Sequence, residues 1–250
     1  MRYDAVLAET VGIRGADDDL VEAYAARPMN DGHRGGVLVI HHMPGYDREA
    51  KEIVRRFAVD GYAAICVNLH WRDAPGADPD DAAAASRANG GVPDDRFVGD
   101  AAGAVRWLRD LPSSNGRVGT IGFCSGGRQA FLSAVELDVQ AAVDCYGAFV
   151  ISEPPEGFPV RMRPLAHRVP DLRAPLLGLF GNDDHNPSPT EVDELEKLLR
   201  EHGKPYEFHR YDDAGHGFFS VDRPSYRVAA ALDGWQRIRT FFARHLTGEA

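Results

Sequence analysis

Short runs rich in apolar, β-branched and aromatic residues alternate with longer stretches whose apolar residues recur every three or four positions. The short runs are GVLVIHH (36–42), AAICVNL (63–69), RVGTIGF (117–123), AAVDCYG (141–147), PLLGLF (175–180) and YEFHRY (206–211). Their length and their turn-forming flanks predict strands. The longer stretches, Arg48–Val59, Asp100–Asp110, Gly127–Leu137 and Thr190–His202, predict helices. A closing helix is expected over Arg227–Leu246, with Trp235, Ile238, Phe241 and Phe242 on its apolar side. Strands with little polar alternation indicate a parallel sheet covered on both faces. The β-then-α rhythm makes the expected architecture a mostly parallel, doubly wound α/β sheet flanked by helices, in one domain over residues 1–250. The early stretch Ala5–Ala26 is expected to add a short antiparallel hairpin turning around Gly15–Asp19.

Two stretches break the rhythm. Residues 72–97 and 150–174 are long and rich in Pro or Gly, and both follow predicted strands. They are expected to be loops overhanging the carboxyl edge of the sheet, where this architecture binds ligands.

Composition narrows the function classes. A net charge of −10, with no block of Lys or Arg, argues against a nucleic-acid partner. No apolar run approaches the roughly 20 residues that a membrane span requires. The N-terminal MRYDAVLAET lacks the pattern of a signal peptide, so a cytoplasmic location is expected. The three cysteines, Cys66, Cys124 and Cys145, are odd in number and have no CxxC spacing, which speaks against a disulfide framework or a structural zinc site. No metal or other cofactor is expected. Cys66 and Cys145 lie within apolar runs and are read as small buried residues.

Cys124 has different company. Gly122-Phe123-Cys124-Ser125-Gly126-Gly127 stands directly after a predicted strand and before a predicted helix. That is the context of a G-x-nucleophile-x-G elbow, in which glycines let strand and helix crowd together and a strained turn exposes the nucleophile. The helix N-terminus directs unpaired amides at the sulfur, which favours negative charge there. Ser125 is out of phase for the nucleophile position. A thiol nucleophile needs a base, and the base needs a third group to orient it. The α/β-hydrolase order of nucleophile, acid, histidine is met by Asp183-Asp184 after PLLGLF and by Ala214-Gly215-His216-Gly217 after YEFHRY. Either aspartate could be the acid or a turn-capping residue. His185, His209 and His42 compete with His216, although His209 alternates with Phe208 in a strand and reads as structural.

These motifs resemble those of the dienelactone hydrolase (carboxymethylenebutenolidase-like) family of α/β-hydrolases. The similarity rests on SNGRVGTIGFCSGG (114–127), DGYAAICVNL (60–69), LFGNDD (179–184) and AGHGFF (214–219), and spans most of residues 30–245. The resemblance implies an α/β-hydrolase fold without a large cap domain and hydrolysis of an ester or lactone by Cys124, His216 and Asp184. The family pattern Gly-x-x-Asp, counted from Gly181, selects Asp184. The resemblance also implies an oxyanion hole built from the amides of Met43 and Ser125, with Pro44 unable to donate.

The pattern departs from the family at several positions. His42 stands where the family has a glutamate beside the resting thiol, and Ser220 where it has an arginine that holds the substrate carboxylate. Arg87 or Arg96 in the 72–97 stretch, and Arg161, Arg163 or Arg223 as an anion site, are the remaining candidates for substrate contact, together with His42 and Phe123. A small ester, lactone or thioester other than dienelactone is the expected partner, for a monomer or homodimer. The alternative is a binding scaffold of the same fold without chemistry.

Overall fold

Side chains alternate across a strand, and the central strands use both faces. Val37 and Val39 join one apolar cluster while Leu38 and Ile40 join another on the opposite side. The computed structural model describes residues 5–247. Its strands are β1 (Val6–Arg14), β2 (Leu20–Pro28), β3 (Arg34–Ile40), β4 (Ala63–Val67), β5 (Ser114–Phe123), β6 (Ala141–Cys145), β7 (Leu176–Gly181) and β8 (Tyr206–Tyr211). They form one sheet in the order β1-β2-β4-β3-β5-β6-β7-β8. Strands β4 through β8 run parallel with β3, while β2 is antiparallel to both β1 and β4. Every residue of β3, β4, β6 and β7 is buried, as expected of strands covered on both faces.

The helices are α1 (Arg48–Val59), α2 (Pro79–Ala88), α3 (Asp94–Asp110), α4 (Ser125–Glu136), α5 (Pro189–Glu201) and α6 (Val228–Leu246). One face of the sheet is covered by α1 and α6, through Val54, Phe57, Trp235, Ile238 and Phe242. The other is covered by α3, α4 and α5, through Phe97, Leu108, Phe131 and Leu195. The connection from β3 leads to β4 on one side, whereas the next strand in sequence, β5, lies on its other side. This reversal opens a crevice beyond the carboxyl ends of β3 and β5, the ligand-binding position of open α/β sheets. No helix of the described residues is long and apolar enough to cross a membrane.

The expected mostly parallel, doubly wound architecture is present, with two corrections. The hairpin is not short: β1 and β2 pair over nine residues each, and β2 bonds to β4, so the hairpin extends the main sheet. Residues 72–97 are not a loop, because they contain all of α2 and the first turn of α3. Pro79 in the first turn of α2, with Asp80 and Asp81 beside it, is a favourable helix start. Residues 150–174 remain largely irregular, with a single 3-10 turn over Ala166–Asp171.

Candidate active site

Strand β5 ends at Phe123 and α4 begins at Ser125, leaving Cys124 alone at the junction. Its backbone has φ 57° and ψ −120°, a conformation costing about 1–3 kcal/mol for a residue with a Cβ. The neighbouring glycines make the junction possible. A Cβ on Gly122 would lie 1.7 Å from the Gly126 carbonyl oxygen, and one on Gly126 would lie 2.3 Å from that of Ile40. The Cys124 amide donates to the Cys145 carbonyl at 3.0 Å, tying the turn to β6. Cys124 is partly exposed, whereas Cys66 and Cys145 are fully buried, and burial pushes both of those thiols up.

Two loops bring the other polar groups. The loop after β7 carries Asp184 and the loop after β8 carries His216. They are stitched together by the Asp183 amide, which donates to the Ala214 carbonyl at 2.9 Å. Asp184 is buried; one carboxylate oxygen accepts from the Asn186 amide at 2.9 Å and the other from His216 Nδ1 at 2.9 Å. The Asp183 side chain is exposed. With Nδ1 donating to Asp184, His216 Nε2 is left for the thiol. Burial works against charge on this ring, but its hydrogen bonds to Asp184 and to Cys124 outweigh it and push the imidazole up to about 10. The Tyr146 ring meets the His216 ring edge-on, with centroids 5.1 Å apart. His185 is exposed, and His209 lies on β8 within 3.3 Å of Arg237.

The loop after β3 is held by His41. Its Nδ1 donates to the His42 carbonyl at 2.8 Å, and its Nε2 accepts from the Leu69 amide at 3.2 Å. A ring used in both senses is neutral, and burial pushes it down to about 3. The amides of Met43 and Ser125 donate to no protein group among the described residues. Both residues line, with Cys124, a cavity of about 140 Å³.

The arrangement brings some of the sequence-derived substrate candidates to this cavity and not others. His42 lines it, with Nε2 3.1 Å from an Asp47 carboxylate oxygen and 3.4 Å from Arg223. Arg223 itself is exposed and outside the lining. Arg87 is outside the lining, and its Nε donates to the Sδ of Met43, a lining residue, at 3.0 Å. Arg96 is turned away and paired with Asp73 at 3.0 Å. Phe123 is a correction: it packs against Phe219, Tyr146 and Trp235 on the α6 side, because strand alternation directs the residue before Cys124 into the core. The lining also contains His70, and sequence reasoning missed Arg128, Phe149, Phe158, Val160 and Met162. The last three belong to the 150–174 stretch, whose length and composition were the available signal.

Among the described residues, one group could share a metal ion. His42, Asp47 and Glu49 have ligand atoms within 4.8 Å of one another. The second Asp47 oxygen is committed to capping α1 through the Ala50 amide at 2.9 Å.

Residues 21–246 match the model of the dienelactone hydrolase family. The chain belongs to that family. A protein named "Putative carboxymethylenebutenolidase" from Escherichia coli K12 is 33% identical over 252 residues, covering 97% of this chain and 89% of that protein. A Bradyrhizobium protein named "Probable 2-oxo-3-(5-oxofuran-2-ylidene)propanoate lactonase" is 30% identical over 252 residues, covering 100% of this chain and 99% of its own. A crystal structure titled as a "Putative Dienelactone Hydrolase" from Klebsiella pneumoniae superposes with a TM-score of 0.84 at 28% identity, covering 96% of this chain and all of that one. Within this dienelactone hydrolase frame, the residues around Cys124 can be read for chemistry.

Proposed function

We propose that the protein hydrolyses an ester or lactone bond of a small molecule through a thioester intermediate on Cys124. The observation that carries this reading is the Asp184–His216 pair, hydrogen-bonded at 2.9 Å, directed at a thiol in a strained strand-to-helix turn. His216 holds the proton that it shares with the thiol as Sγ attacks the substrate carbonyl. The amides of Met43 and Ser125, without a protein acceptor among the described residues, donate to the oxygen that becomes negative. As the tetrahedral intermediate collapses, the carbon–oxygen bond breaks and the leaving alkoxide takes its proton from His216. Water then attacks the thioester while His216 accepts its proton. That proton returns to sulfur as the acid departs. Asp184 keeps Nδ1 protonated throughout and so keeps Nε2 turned to the thiol.

The test is turnover of p-nitrophenyl esters and small lactones by wild type, Cys124→Ala and His216→Ala, with mass spectrometry of the Cys124 peptide. The expected result is a loss of about a thousandfold or more in kcat for each variant, and an acyl adduct on Cys124 in the wild type. Full activity in Cys124→Ala would overturn the assignment.

A further inference from the structure

The charge inside the cavity is balanced before any substrate enters. The one guanidinium in its lining, Arg128, is 3% exposed and forms a bidentate pair with Asp94 at 2.7 and 2.9 Å. It spends a further hydrogen bond on the Arg163 carbonyl at 2.7 Å. His41 donates and accepts within the protein and is neutral, and His42 leans on Asp47. Arg87, Arg96 and Arg223 all lie outside the lining. The buried Nε of Arg128 has no hydrogen-bond partner among the described residues, but the guanidinium charge is matched by Asp94. The other unpartnered polar side chains of the lining are uncharged or held uncharged. The Gln129 amide and the His70 imidazole have no hydrogen-bond partner among the described residues, and His70 is only 2% exposed. Burial pushes the His70 ring down to about 4, so it enters the cavity neutral near pH 7. The rest of the wall is largely apolar, with Leu69, Val92, Phe149, Phe158, Val160 and Met162.

We infer that this cavity selects an uncharged ester or lactone with an apolar acyl portion, and that Phe149, Phe158, Val160 and Met162 are the residues that determine this specificity. The inference rests on the Cys124 reading for its chemistry but not for its binding preference. A carboxylate carried on the acyl portion would lose its hydration without meeting an unpaired positive charge in the lining, because Asp94 already neutralises Arg128. An alkyl or aryl group would gain contact with four apolar side chains. Phe158, Val160 and Met162 come from the irregular 150–174 stretch rather than from the sheet. The composition of that stretch can therefore set preference without disturbing the elbow.

The test compares p-nitrophenyl pentanoate with p-nitrophenyl hemiglutarate, which has the same number of acyl carbons and a terminal carboxylate. Wild type is expected to prefer the pentanoate by about tenfold or more in kcat/KM. Val160→Lys, at a half-buried position where a long side chain keeps its charge hydrated, is expected to narrow that ratio by about tenfold. Met162→Lys is the second variant and is expected to act in the same direction. A parallel measurement needs no turnover. Pentanamide should slow alkylation of Cys124 by iodoacetamide, read by mass spectrometry, and glutaramate should not. If neither ester is hydrolysed, the catalytic reading fails and the protection experiment still decides the inference. A wild-type preference for the hemiglutarate, equal protection by the anion, or an unchanged ratio in both lysine variants would overturn it.

Discussion

At the scale of single residues, His216 joins structure to pH dependence most directly. Its ring is raised to about 10 by hydrogen bonds to Asp184 and Cys124 that outweigh burial. A raised basic group stabilises the fold fully below its unfolded value, about 6.5, and that contribution is lost as pH rises through the folded value. Wild type should therefore lose stability relative to His216→Gln between about pH 6.5 and 10, measured by urea denaturation across that range. In Asp184→Asn the strongest opposing hydrogen bond is weakened, and the His216 titration followed by NMR should move down from about 10 towards about 6.5. An unmoved titration would show that Asp184 does not hold the proton. His70 gives a different readout. If its neutral ring donates to or accepts from substrate, His70→Leu should raise KM about three- to tenfold with kcat retained. The contrast between His70 and Phe123 shows what could be read from the chain. Cys124 and His216 follow strand ends in the chain order of the α/β-hydrolase fold, and the Gly-x-x-Asp pattern singles out Asp184 from Asp183, so sequence position and motif mark them. Phe123 adjoins the thiol in sequence but points into the core, and His70 reaches the cavity only because β4 pairs with β3. That pairing leaves no local pattern.

At the scale of elements, the elbow depends on how closely α4 crosses the ends of β5 and β3. A Cβ on Gly126 would stand 2.3 Å from the Ile40 carbonyl oxygen and 2.9 Å from that of His41, both backbone atoms that cannot step aside alone. Gly126→Ala should therefore cost about 2–4 kcal/mol in denaturant unfolding. It should also lower activity in the folded fraction, because the displaced strand end carries Met43. A variant with wild-type stability would mean that β3 and α4 can separate at no cost. The same physics explains why this turn was legible in the chain while α2 was not. Close crossing requires glycine and so writes itself into the sequence. Helix α2 buries Ala82, Ala83 and Ser86, small side chains that leave no bulky apolar stripe, and its proline-rich approach reads as loop. Helix α1, with Val54 and Phe57 buried at helical spacing and Asp47 capping its first turn, has the bounds that the periodicity predicts.

At the scale of the whole molecule, the antiparallel hairpin must be tied to a sheet whose other strands are parallel, and a buried carboxylate makes the tie. Asp100 on α3 is 0% exposed. One of its oxygens accepts from the Ala16 amide at 2.9 Å and from Arg72 at 3.0 Å, and the other accepts from Arg72 at 2.8 Å. Arg72 reaches on to Asp19 at 2.8 Å and to the Ala16 carbonyl at 3.2 Å. The turn between β1 and β2 sits so close to α3 that a Cβ on Gly103 would lie 2.0 Å from the Arg14 carbonyl oxygen. Arg72 also opens the segment whose far end supplies Val92 and Asp94 to the cavity, so one network joins the edge of the sheet to a wall of the site. Removing the carboxylate leaves the Arg72 guanidinium with only the exposed Asp19 and the Ala16 carbonyl, and the Ala16 amide unpaired, so Asp100→Ala should cost about 3 kcal/mol. Replacing both partners, as in Arg72→Met with Asp100→Leu, should cost less than the single change, because no charge is then stranded. Hydrogen exchange separates a local effect from a global one. If the network serves the hairpin, amides of β1 and β2 should exchange faster in Asp100→Ala while those of β5 and β6 keep their protection relative to global unfolding. Uniform acceleration across all eight strands would instead make Asp100 a support of the entire sheet.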